Sequence, residues 1–198
     1  MARPLTAIVP AILVLFTGRA LGEDGRLARA QALFDEGRAL VKRGDYKSAC
    51  ARFARSFDIE PGIGTSYHLA DCWEHIGHLA SAHEYFEIAA TNAHARGQRE
   101  RARLAHARAK AIEPRLLRLV IEAPEQPGLV VRRNGRLVDP VHFGAALPVD
   151  PGPYQIEAKL PNGKSWFLRV EIAPSDAETL VTVPELDADA VSPREPAR

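Results

Sequence analysis

Along residues 26–43, "RLARAQALFDEGRALVKR", the apolar and small positions Leu33, Phe34, Gly37, Leu40 and Val41 recur at steps of three and four. That spacing gathers them into one helical stripe. Gly44–Asp45 then offers a helix stop and an N-cap for the next helix. The pattern predicts the second helix over Tyr46 to Ile59, with Ala49, Phe53 and Ser56 on one face and a stop before Pro61. A second pair follows, over about 64–76 with Leu69, Ala70 and Trp73, and over about 79–95 with Ala82, Phe86 and Ala89. "GDYKSACARFARSF" from Gly44 and "GHLASAHEYFEIAA" from Gly77 thus write one pattern twice, 33 residues apart. Small residues at the matched positions let antiparallel helices approach, and the aromatic fills the space beside them. One more helix reads from "GQRERARLAHARAKAIEP", Gly97 to Pro114, with Ala, Leu104 and Ile112 on its apolar side and Arg99, Arg101, Arg103, Arg108 and Lys110 elsewhere. It fits the capping of a stack whose last pair would otherwise expose an apolar face.

Beyond Pro114 the period changes to that of strands. "RLLRLVIEA" (115–123), "GLVVRRNGRLV" (128–138), "YQIEAKLPNGKSWFLRVEI" (154–172) and "ETLVTVPEL" (178–186) alternate or run apolar with β-branched residues. Asn134–Gly135 and Asn162–Gly163 are two-residue hairpin signals. Six or seven short strands over roughly 70 residues predict a small antiparallel sandwich or barrel. The fold class expected is therefore α+β, with a helical domain over 23–114 and a β module over 115–186. The final "DADAVSPREPAR", residues 187–198, is polar and Pro-containing and reads as a disordered tail.

The helical half resembles the tetratricopeptide repeat family. Its first copy carries Gly37, Leu40, Gly44, Tyr46, Ala49, Phe53, Ser56 and Pro61 at the family's intervals, and its second carries Leu69, Ala70, Trp73, Gly77, Ala82, Phe86 and Ala89. The family's early aromatic is replaced by Leu33 and Ser66, and the second copy lacks the terminal Pro. "LPVDPGPYQIEA" (147–158) is similar to the strand–turn–strand of PEGA-like and transthyretin-like envelope modules. The whole order, apolar leader, two repeats, Arg-rich helix and β module, resembles exported repeat proteins of myxobacteria-like Gram-negative bacteria.

Composition narrows the compartment and the partners. Of the 198 residues 46% are hydrophobic, enough for a core, and the net charge of +1 points to neither a nucleic-acid binder nor an acidic tail protein. Arg3 precedes the apolar run Leu5 to Phe16, and Ala20 to Gly22 place small residues where a signal peptidase reads. Residues 1–22 are expected to be a cleavable signal peptide leading to the periplasm or cell envelope; an uncleaved N-terminal membrane anchor is the alternative. The run is shorter than the roughly 20 residues a spanning helix needs. Without Arg3 and Arg19 the chain holds 24 basic and 25 acidic residues, a net −1.

No motif for nucleophilic, metal-hydrolytic or phosphate chemistry is present, so the chain is not expected to be an enzyme and no cofactor is implied. His68, Cys72 and His75 at i, i+4 and i+7 can aim three ligands at one metal ion, although any helix stripe shares that spacing. The family resemblance gives Cys72 a different use. There the helices carrying Cys50 and Cys72 pack side by side at a shared seam, which implies a Cys50–Cys72 disulfide in an oxidising compartment. Two buried free thiols and the metal site remain the alternatives. Arg96 to Arg118 is strongly basic, but no aromatic residue interleaves for base stacking, so nucleic acid is not an expected partner. The same helix can meet an anionic envelope polymer.

The resemblance also implies a use for the repeat. Stacked helix pairs present their first helices on a concave surface that holds protein segments. Its positions fall on Phe34, Arg38, Val41 and Lys42 in the first repeat, and on Tyr67, Asp71, Glu74 and His75 in the second. This mixture of basic, acidic and aromatic groups suits a peptide segment or helix of a protein partner better than a small-molecule substrate. The expected function is that of an exported, non-catalytic adaptor or scaffold. A periplasmic metal-binding protein and a binder of anionic envelope polymer are the alternatives.

Overall fold

The computed structural model describes residues 18–186. The expected tail, 187–198, and all of the expected leader before Gly18 lie outside them. The fold is α+β: among the described residues, five α-helices are followed by seven strands in two sheets. The helices are α1 (Gly18–Lys42), α2 (Tyr46–Ile59), α3 (Ile63–His75), α4 (Leu79–Ala95) and α5 (Arg99–Ile112). No helix among the described residues is long and apolar enough to cross a membrane.

The repeated letters become repeated packing. Ala49 and Ala82, and Phe53 and Phe86, are fully buried at matched places in α2 and α4. Ser56 and Ala89 complete the pattern, and the Ser56 hydroxyl donates to the Ala30 carbonyl at 2.8 Å, tying α2 to α1. Gly37 lets α1 come close: a Cβ there would stand 2.7 Å from the Phe53 ring. Gly44 and Gly77 end α1 and α3 at φ 77° and 80°, a backbone region that costs glycine nothing. Cys50 and Cys72 are joined in a disulfide between α2 and α3, with their Cα atoms 5.5 Å apart.

The strands are β1 (Leu117–Glu122), β2 (Val130–Arg133), β3 (Arg136–Leu137), β4 (Leu147–Val149), β5 (Gly152–Lys159), β6 (Ser165–Ile172) and β7 (Glu178–Thr182). They form sheets of order β4-β1-β7 and β3-β2-β5-β6 around Leu119, Ile121, Val131, Ile156, Trp166 and Ile172. Two details correct the expectation from sequence. The β1–β7 pair is parallel, because β7 enters from the opposite sheet and runs in the direction of β1. Asn134–Gly135 makes the expected tight hairpin, both residues at positive φ, but Asn162–Gly163 does not. There the loop is Pro161–Asn162–Gly163, closed by Gly163 N–H donating to Leu160 C=O at 3.0 Å, with φ positive at Gly163. Pro161 favours a type I turn at its own position, which excludes the primed two-residue turn and adds a residue.

The two halves meet without slack. Leu116 is buried in the helical core with Phe86, Ala109 and Ile112, while Leu117 packs on the strand core. The turn after β4 then reaches back to α4. Asp150 Oδ1 accepts the Ala80 and Ser81 N–H groups at 2.9 and 3.2 Å, and Oδ2 accepts the Ser81 hydroxyl at 2.5 Å. The Asp150 side chain is only 16% exposed, and His78 Nδ1 lies 3.9 Å from it. The Tyr154 hydroxyl holds the turn, accepting from Asp150 N–H at 3.1 Å and donating to its carbonyl at 3.0 Å.

Candidate partner-binding groove

Helices α1, α3 and α5 share one open face, and two hollows lie side by side on it. Between α1 and α3 a hollow of about 540 Å³ is bordered by Leu27, Ala30, Phe34 and Glu60. Between α3 and α5 a second, of about 360 Å³, is bordered by Tyr67, His68, Arg101 and Leu104. Gly64 borders both. The aromatic groups are locked by one another. His68 stacks on Phe53 (centroids 5.6 Å apart, 20°) and meets Phe34 edge-on at 5.3 Å; Tyr67 meets Phe86 edge-on at 5.2 Å. Burial against these rings holds the His68 pKa below its ordinary 6.5; Asp71 pulls it up and Arg38 pushes it down.

The other end of this face is closed from within. Arg108 of α5 donates to Asp71 Oδ1 at 2.9 Å and Glu74 Oε2 at 2.7 Å, its guanidinium carbon 4.9 Å above the Phe86 ring. Burial alone would lower its pKa, but the bonds to Glu74 and Asp71 outweigh that and keep it charged. Arg115 adds a contact to Glu74 at 3.7 Å. The two carboxylates expected to face a partner therefore already have basic partners in the chain.

The remaining groove positions read from sequence divide. Phe34 and Tyr67 line the hollows. Arg38 lies over Phe34 at 6.0 Å and 3.8 Å from Asp35, and Lys42 is exposed at the end of α1. Val41 packs against the Phe53–Leu69 core instead, and His75 stacks on Tyr46 at 4.2 Å. The metal alternative is not assembled. Cys72 sulfur is bonded to Cys50, while His68 and His75 stack on different rings. Among the described residues no group of His, Cys, Asp or Glu is placed to hold a metal ion. On α5, Arg103 is engaged by Glu100 at 2.7 and 2.8 Å and Arg108 is turned inward, which thins the basic face expected there.

Sequence reasoning missed Leu27, Gly64, His68, Arg101 and Leu104 as groove residues. A signal for three of the wall positions was present: Arg101, Leu104 and Arg108 follow one another at three- and four-residue steps, so α5 aims one stripe at α3. Leu104, on the apolar side of α5, is 52% exposed. No protein-family model matches this chain, and no curated protein matches it.

Proposed function

We propose that this protein is an exported, non-catalytic adaptor of the cell envelope that holds a segment of another protein in the α1–α3–α5 groove. One observation carries the reading. The groove is open, floored by mutually fixed aromatic rings and edged by exposed Leu27 and Leu104, as a surface for side chains of a partner is. The resemblance of the 33-residue repeat to the tetratricopeptide family supports it, since that family uses this side of its stack. The Cys50–Cys72 disulfide and the apolar run before Ala20 support export to an oxidising compartment. The β module sets where the groove points.

The test is photocrosslinking in cells. A photoreactive amino acid replaces Leu104 in the groove or, as control, Ser175 in the exposed β6–β7 loop. A discrete adduct with another protein from position 104, absent from 175, is the expected result. Equal or absent crosslinking at both positions rejects the groove as the working surface.

A further inference from the structure

A glycine inside a helix costs backbone entropy, and a structure normally shows what it gains in return. Gly37 gains the close approach of Phe53. Gly64, in the first turn of α3, shows no such gain within the chain. Its φ is not positive, and a Cβ built on it would meet nothing within 4 Å. The empty space above it is the groove itself, at the place where the two hollows touch. One turn further along α3 the ridge between them rises again at His68, which packs against Phe34. Gly64 is the low point of that ridge.

We infer that the groove takes an extended, acidic segment whose backbone crosses α3 at Gly64, with one large apolar side chain in each hollow and a carboxylate against Arg101. This inference rests on the groove reading above. The crossing must be extended: a helix about 10–12 Å wide would ride on the ridge, whereas in a strand alternate side chains point the same way about 7 Å apart. The charge preference follows from what is already neutralised. Asp71 and Glu74 are paired with Arg108, and Glu60 faces Arg26 at 3.5 Å. Arg101 has no carboxylate partner among the described residues; its guanidinium donates to the Gln98 side-chain carbonyl at 3.0 Å. A carboxylate arriving beside the α3–α5 hollow replaces that neutral acceptor with a charged one.

The probe is a phage-displayed library of random linear peptides, selected on the full, disulfide-bonded chain. Enriched peptides are expected to carry two large apolar residues at alternating positions, with Asp or Glu beside one of them. Fluorescence anisotropy then measures one such peptide against variants. Gly64→Ala keeps or raises the melting temperature, because the site accepts a Cβ, and weakens binding. Gly64→Leu, checked for folding by circular dichroism, weakens it by about tenfold or more. Arg101→Gln weakens it and flattens its salt dependence.

If Leu104→Asp abolishes binding while Gly64→Leu leaves it unchanged, the groove reading stands and the crossing at Gly64 is wrong. If the enriched peptides are basic or lack apolar pairs, the proposed chemistry is wrong. If no peptide is enriched, or binding ignores both Leu104 and Gly64, the groove reading and this inference fall together.

Discussion

Asp45 and Asp150 serve the same place in matched helices from opposite ends of the chain. Asp45 accepts the Ser48 N–H at 3.1 Å inside its own turn, and Asp150 accepts the matched Ser81 N–H from 69 residues away. At the position equivalent to Asp45 the second repeat has His78, which makes no side-chain cap. Replacing Asp150 with Ala should therefore lower stability by about 1–2 kcal/mol in urea unfolding, since it leaves partly buried N–H groups unpaired. Adding His78→Asp to that variant should restore part of the loss, because it rebuilds the local cap of the first repeat. None of this was legible in "VDPG", which reads only as a turn: a cap supplied across 70 residues leaves no local pattern. His68 makes the second residue-level prediction. With its folded pKa below 6.5, the unfolded chain takes the proton first. Its stability contribution is thus complete above about pH 6.5 and is lost as pH falls below that value. Denaturant midpoints measured across that range should drop on the acid side, and His68→Gln should flatten the drop.

At the scale of elements the helices were far more legible than the strands. The expected second and fourth helices, Tyr46–Ile59 and 79–95, have the observed bounds, because Gly44, Pro61 and Gly77 punctuate an unbroken 3.6-residue pattern. The third helix starts and stops one residue early. Strand pairing depends on partners distant in sequence, so neither the parallel β1–β7 pair nor the longer loop at Pro161 could be read from spacing. In the groove, repetition marked Phe34 and Tyr67, while the partners of Asp71 and Glu74 came from a helix outside the repeat. The close approach at Gly37 gives a prediction of its own. Gly37→Ala should destabilise by about 1–3 kcal/mol through overpacking, even though Ala is the better helix former, and Phe53→Leu should relieve much of that penalty. The matched position already holds buried Ala70, so Ala70→Gly should cost instead of gain. Removing the α2–α3 cross-link by Cys50→Ser with Cys72→Ser should lower stability by about 3 kcal/mol in the chain-entropy picture, read as a lower urea midpoint with a slope no smaller than before, since the freed unfolded chain is less compact.

For the whole molecule, the two tryptophans sit conveniently apart. Trp73 lies in the helical half and Trp166 in the strand core. Leu116 and Leu117 are adjacent residues in two cores, and Asp150 closes a second joint, so both halves should unfold together. Fluorescence of Trp73→Phe and Trp166→Phe should report coincident urea midpoints. In Asp150→Ala the two midpoints should separate, and if they remain coincident the joint at α4 contributes little to coupling. Asp150 also matters in time. A chain is made from its N-terminus, so the repeat pattern ends at residue 95 while the carboxylate that settles the start of α4 has yet to appear. Until the turn after β4 is made, the second helix pair carries a loose end that no neighbour can tie. The start of α4 is therefore made some 70 residues before the side chain that caps it.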